Sequence, residues 1–130
     1  DVHAGLSETG LSTFRSLVTE AVNACVSSTT LAAGCGLDLP ETLDDGTKVI
    51  EGSIHRSLDA EGQSKLASPE PEESVGDPRQ VRGPHFGLLH VTADCESDGQ
   101  RYPGCELYTY HGLGRPLVDF TASPPVVRWD

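Results

Sequence analysis

The stretch DCESDGQRYPGCE, from Asp94 to Glu106, admits two incompatible readings, and the choice between them decides how the C-terminal half of the chain folds. In the first, Asp94, Glu96, Asp98 and Gly99 open a calcium loop, with carboxylates at alternate positions and a glycine at the sharp turn. In the second, Cys95 and Cys105 close a hairpin with a disulfide. The calcium pattern fails at its twelfth position, where a bidentate Glu is needed and Cys105 stands, with Glu106 one residue out of register. No helical pattern flanks the segment, and Pro103-Gly104 interrupts it. The disulfide reading accounts for both cysteines. A strand over 85–93 precedes Cys95 and a strand over 106–110 follows Cys105, so across a hairpin the two would stand at about the 5.5 Å Cα separation a disulfide prefers. Asp94, Glu96 and Asp98 remain the lesser, calcium-binding alternative.

The same spacing recurs upstream, since Cys25 and Cys35 also enclose nine residues. Two local bridges, Cys25–Cys35 and Cys95–Cys105, are the simplest of the three connectivities four cysteines allow. Each would contribute roughly 2–3 kcal/mol by the loop-entropy estimate. An even cysteine count and the absence of methionine in 130 residues fit an oxidising compartment.

Working outward, Leu11, Phe14, Leu17, Val18, Ala21, Val22 and Cys25 recur at helical spacing and form one apolar stripe. Ser7 or Thr9 can cap this helix, and Ser27, Ser28, Thr29 and Thr30 end it by competing for backbone hydrogen bonds. After the Asp45-Gly46 turn signal, alternation over Lys48 to Leu58 predicts a strand. The segment 67–84 holds four prolines and the acidic residues Glu70, Glu72 and Glu73, and is expected to be a long surface loop. Short β-favouring runs follow at 85–93, 106–110, 117–122 and 126–129, separated by turn residues. The prediction is an α+β fold: one N-terminal helix on a mostly antiparallel, meander-type sheet, stapled by two local disulfides, with 1–130 as a single extracytoplasmic domain.

The 130 residues match the commonest single-domain size, and 36% hydrophobic residues, about 47% with the 14 glycines, suffice for a core. A net charge of −11 repels phosphate backbones and anionic lipid surfaces, so neither nucleic acid nor a membrane surface is an expected partner. No run of 18 apolar residues occurs, so the segment is not expected to insert into a membrane. DVHAGLSETG at the start is not a signal peptide.

No catalytic signature is complete. His85, His90 and His111 fall in the C-terminal β-rich region, but their spacing matches no compact metal motif, and nine-residue gaps between cysteines are too wide for zinc knuckles. No metal and no other cofactor is expected. Ser53 and His55 share one face of the predicted strand and would need an acid such as Asp119 behind the histidine, yet the G-x-S-x-G elbow is absent. His90, Tyr108 and His111 are the candidate lining of a ligand cleft between helix and sheet; Trp129 and Tyr110 are aromatic candidates for the same face.

The segment VNACVSSTTLAAGCGLDLP, Val22 to Pro40, resembles small extracytoplasmic domains at the C-termini of actinobacterial membrane-anchored or secreted proteins, in which a helix ends in a Cys followed about ten residues on by another. The resemblance implies a cystatin-like or NTF2-like α+β fold, a membrane-anchored parent and no assigned chemistry. The sequence thus leads to a disulfide-stabilised extracytoplasmic module that binds a protein or cell-envelope component without catalysis. The rival is a small secreted enzyme or ligand-binding domain with a cleft near His90, Tyr108 and His111. A cleft filled by Phe, Leu and Val would favour the module.

Overall fold

The fold was obtained as a computed structural model that describes residues 7–33, 35, 38–86, 89–107 and 114–129. The apolar stripe becomes helix α1 (Glu8–Ser27), capped by Ser7, whose hydroxyl accepts from the Gly10 amide, and ended at Ser28, which turns to extended backbone. Phe14, Val18, Val22 and Cys25 form its buried edge, three or four residues apart as a single helical face requires. Burying each large apolar side chain contributes about 1.5–3 kcal/mol, so this edge fixes where the helix lies.

The described strands form two sheets with antiparallel pairings throughout. In the first, β5 (Leu89–Ser97) is central, with β6 (Gln100–Leu107) on one side and both β1 (Lys48–Val49) and β2 (His55–Leu58) on the other. In the second, the order is β3 (Glu73–Val75), β4 (Asp77–Arg82), β7 (Pro116–Asp119) and β8 (Val126–Trp129). Helix α1 meets β2 of the first sheet and β7 and β8 of the second, and also a short helix α2 (Ala60–Ala67). One core results, joining Phe14, Val18 and Val22 to Ile54, Leu58, Val91 and Ala93 of the first layer and to Val81 and Val118 of the second, with Phe86 between.

The α+β class, the N-terminal helix and both disulfides agree with the sequence reading, and β8 has the predicted limits. Beyond the added helix α2 and the division of the expected single sheet into two, three features differ. The predicted strand Lys48 to Leu58 is one edge broken in two. Val49 pairs with Cys95 and His55 with Thr92, so six steps along this edge face three along β5, and the excess bulges out at a turn where Gly52 has φ +85°. The segment 67–84, expected as a long surface loop, carries the hairpin β3–β4, and its Pro69 and Pro71 are fully buried. Proline excludes a residue from a ladder's interior but not from a core, where it brings an apolar ring and little entropy to lose. The Glu side chains of this segment are held by Arg15 (with Glu70) and Arg115 (with Glu72 at 2.9 Å and Glu73 at 3.1 Å) from outside it, and by Arg82 of its own β4 (with Glu73 at 3.1 Å). Finally, DCESDGQRYPGCE is itself a hairpin rather than the link between two strands. Asp98 (φ +53°) and Gly99 (φ +78°) make its two-residue turn, the left-handed pair that Asp-Gly supplies.

Candidate functional site

The calcium reading of the hairpin meets a different geometry. Asp94 is engaged by Arg101 across the ladder, at 2.7 Å from Nη2, while Glu96 pairs with Arg101 in the strand register and Asp98 sits at the turn. Among the described residues no group of three or more His, Cys, Asp or Glu side chains is placed to hold a metal ion. Cys95 and Cys105 are bonded, with Cα atoms 5.9 Å apart, and an irregularity at Pro103-Gly104 of β6 brings them together.

The histidine and serine candidates do not assemble. His90 stands on the outer face of β5, exposed, with Nε2 3.5 Å from Glu106. Tyr108, Tyr110 and His111 lie outside the described residues. His85 is exposed in the segment after β4, and its carbonyl accepts from Lys65. Ser53 is occupied as a tie: its hydroxyl donates to the Ile50 carbonyl at 2.7 Å and accepts from the Asp94 amide at 2.9 Å, fastening the bulged turn to β5. His55 is exposed on β2. Asp119 belongs to β7, in the other sheet, where hydrogen bonds from the Thr121 hydroxyl and amide hold its carboxyl below the usual carboxylate range, with Arg128 at 3.1 Å. Trp129 packs against the core from β8. Ser53 and Asp119 thus serve their own layers and do not join His55 in a triad.

The space between α1 and the sheets, where a cleft was the alternative, is filled by Phe14, Val18, Val22, Ile54, Val91 and Phe86. A shallow apolar groove lies at the helix, lined by Leu17, Ala21, Ala24 and Val127 and bordered by Glu20.

A built surface feature lies elsewhere, in the loop that follows α1. Cys25 and Cys35 are bonded, both nearly fully buried, and after α1 ends at Ser27 the chain runs through residues 28–33 with Thr29, Thr30 and Ala32 exposed. This stretch has no ladder of its own. Arg56, 5% exposed, occupies an inward-facing position of β2 between buried Ile54 and Leu58 and sends its guanidinium to the Ser28 carbonyl (2.9 Å) and the Leu31 carbonyl (3.2 Å). Burial pulls its pKa down from the ordinary arginine range, and the carboxylates of Asp38 and Glu51 pull it back up. Glu51, at the bulged turn, accepts from the amides of Leu31 (2.7 Å) and Gly52 (3.1 Å). Ile54 donates to the Thr29 carbonyl at 3.1 Å, Leu39 to the Leu31 carbonyl at 2.9 Å, and Ala33 to Asp38 at 3.3 Å.

A buried guanidinium is expensive to desolvate, and only the planar fork of arginine spans two carbonyls in this way. The charge stands where an apolar residue would fill the core more cheaply; what it supplies is a fixed conformation for an exposed loop. Sequence reasoning singled out neither Arg56 nor Glu51. The signal for Arg56 was present in the alternation Ile54, Arg56, Leu58, which places a charge in the buried phase of a strand. Glu51 carried no such signal, because its partner is brought near by the bulge.

Two disulfides in so small a chain point to an oxidising, extracellular environment. Among the described residues no helix is long and apolar enough to cross a membrane. No family model, curated protein or solved structure matches the chain.

Proposed function

We propose that the protein is a secreted or membrane-tethered binding module, without catalytic activity, that recognises a protein or cell-envelope component at its surface. The observation that carries this reading is the filled interior: Phe14, Val18, Val22 and Phe86 occupy the region where a small-molecule cleft between helix and sheets would lie. The strongly acidic balance, −11, repels nucleic acid and anionic lipid, which leaves proteins and neutral or cationic envelope components as partners.

Binding of fluorescently labelled protein to intact cells and isolated envelopes tests it. The expected result is saturable binding, competed by excess unlabelled protein and removed from the envelopes by protease or glycosidase treatment. Tight one-to-one binding of a metabolite in a thermal-shift screen, or turnover of one, would overturn the reading.

A further inference from the structure

We infer that the free edge of β8, together with the apolar groove beside α1, is a docking site for an extended, positively charged segment of a partner protein, which adds to the second sheet as a further strand. This rests on the binding-module reading and gives it a partner class.

The hydrogen bonds around β7 show which side of β8 is open. Phe120, directly after β7, donates to the Arg79 carbonyl, and Pro116 accepts from the Gly83 amide at 2.7 Å. Successive residues of an antiparallel ladder turn their backbone groups to opposite sides, so positions 116, 118 and 120 serve β4, and 117 and 119 serve β8. The bonded partners on β8 are therefore Arg128, opposite Leu117, and Val126, opposite Asp119. The amides and carbonyls of Val127 and Trp129 point the other way, and β8 is the last strand of its sheet.

The other edges carry devices that discourage pairing. β6 has Pro103, followed by Gly104 at φ +71°; β3 is three residues long and opens on Glu73; β1 and β2 are parted by the bulge. β8 has neither proline nor glycine, and its one charged side chain, Arg128, is turned to Asp119 at 3.1 Å. Apolar contacts lie on both faces of the open edge. Val127, opposite buried Val118, faces α1 and lines the groove with Leu17, Ala21 and Ala24, so every second side chain of an added strand enters that groove. On the opposite face Val126 is 44% exposed, one of two large apolar side chains left to solvent among the described residues, and the alternate side chains of the same strand cover it. Main-chain bonds then supply affinity, and the groove supplies selectivity.

Charge selects the occupant. Glu20 borders the groove, is exposed, and has no ion-pair partner among the described residues, while no basic side chain lines the groove. A Lys or Arg beside the segment's apolar residues meets Glu20 within the field of a chain of net charge −11. A second copy pairing edge to edge would instead bring two acidic rims and two such net charges together.

Panning random short peptides against the immobilised, disulfide-intact protein tests the inference. The enriched peptides should carry net positive charge and alternating apolar residues. They should shift the fluorescence of Trp129, the chain's one tryptophan, and slow amide exchange at Val127 and Trp129 but not at Gln100 and Arg101. Val127→Pro removes an outward amide that makes no bond to β7, a place where an edge strand accepts proline, and should weaken the peptides about tenfold, the worth of one backbone hydrogen bond. Glu20→Lys changes an exposed side chain, turns attraction into repulsion, and should also cost about tenfold while abolishing the preference for basic peptides. Circular dichroism checks both folds, and if Val127→Pro does not fold, Glu20→Lys decides. Enriched peptides that leave the two amides unprotected, or that bind the folded variants as tightly as the natural protein, would overturn the inference. So would a dimer in sedimentation equilibrium that Val127→Pro dissociates, since the edge would then belong to a second copy. Binding to cells or envelopes that persists undiminished in both variants removes this site and leaves the module reading standing; absence of that binding in the natural protein removes the module reading, and the peptides then judge the edge alone.

Discussion

Two disulfides of this protein have the same sequence separation, 10, and the same Cα–Cα distance, 5.9 Å, yet enclose opposite kinds of structure. Between Cys95 and Cys105 the chain orders itself: an Asp-Gly turn, cross-strand pairs from Ser97↔Gln100 to Cys95↔Tyr102, and the Arg101–Asp94 ion pair are all local. Between Cys25 and Cys35 the order is imported from residues 38 to 56, through Asp38, Leu39, Glu51, Ile54 and Arg56. Equal cysteine spacing thus says that a loop is closed and nothing about what holds it. A locally ordered loop is stabilised chiefly by its own turn and ladder; an imported one is hostage to distant side chains, which is the arrangement expected of a loop kept for recognition rather than for the core.

Removing each disulfide separates the two. The loop-entropy estimate is the same for both, about 2.7 kcal/mol, so any difference comes from the folded state. Cys25 and Cys35 are 2% and 1% exposed and belong to the core, whereas Cys105 is only half-buried. Cys25→Ala with Cys35→Ala should cost about 3–5 kcal/mol, adding a cavity to the lost constraint. Cys95→Ala with Cys105→Ala should cost about 2–3 kcal/mol, because the hairpin persists. Denaturant unfolding measures both. Equal losses would erase the proposed distinction, and so would loss of hydrogen-exchange protection at Tyr102 and Cys95 that matched the loss at Leu31 and Leu39.

Arg56→Met sharpens the comparison without touching a cysteine. It exchanges a fork that serves two carbonyls for an apolar chain of similar length, and leaves the Ser28 carbonyl to water. Two hydrogen bonds from a charged donor at about 1.5 kcal/mol each, less what the removed desolvation returns, give an expected loss of about 2 kcal/mol. Exchange should quicken at Leu31 and Ala33 and stay unchanged at Gln100 and Arg101. If the variant were more stable than the natural protein, and the loop amides no less protected, Arg56 would be an ordinary buried ion pair and the loop would hold its shape without help.

The sequence was legible where structure is local and illegible where it is imported. The spacing of Phe14, Val18 and Val22 announced α1 with its Ser7 cap, and Val126–Trp129 announced β8, because each pattern repeats within a few residues. Pro69 and Pro71 read as loop residues because composition reports what a segment cannot do in a ladder, not which distant arginine will hold its glutamates. The hairpin was read correctly from Cys95 and Cys105, but its Asp98-Gly99 turn was passed over, because the alternating acids around it drew attention to an ion. Of the candidate site, the cysteine pairs were legible, but Arg56 and Glu51 were not, since their targets lie 20 or more residues away in sequence. Gly99→Ala tests the local half: at φ +78° the added Cβ should cost about 1–2 kcal/mol and leave Leu31 untouched. A negligible loss would mean that the Cys95–Cys105 bridge, not the turn, sets the hairpin.

The smallest expected effect belongs to the acidic residues that first suggested calcium. Asp94→Asn with Asp98→Asn removes one partner of an exposed ion pair, Asp94 with Arg101, whose side chains are 32% and 59% exposed, and places at the turn another residue tolerant of the left-handed region. Surface pairs of this kind are worth about 0–1 kcal/mol, so the double variant should lie within about 0.5 kcal/mol of the natural protein, with a melting temperature indifferent to calcium or chelator. The comparison is decisive because an ion would act by mass action: at 100 times its dissociation constant it would add about 2.7 kcal/mol, several times the ion pair it displaces. Arg101 sharpens this further. Calcium at Asp94 must evict a guanidinium already 2.7 Å from the carboxylate, so Arg101→Ala is the variant in which any latent calcium affinity would first emerge. If millimolar calcium raised the melting temperature of the natural protein, and raised it more in Arg101→Ala, the hairpin would depend on an ion as the Cys25–Cys35 loop depends on Arg56, and the division between a self-ordered loop and an imported one would fail.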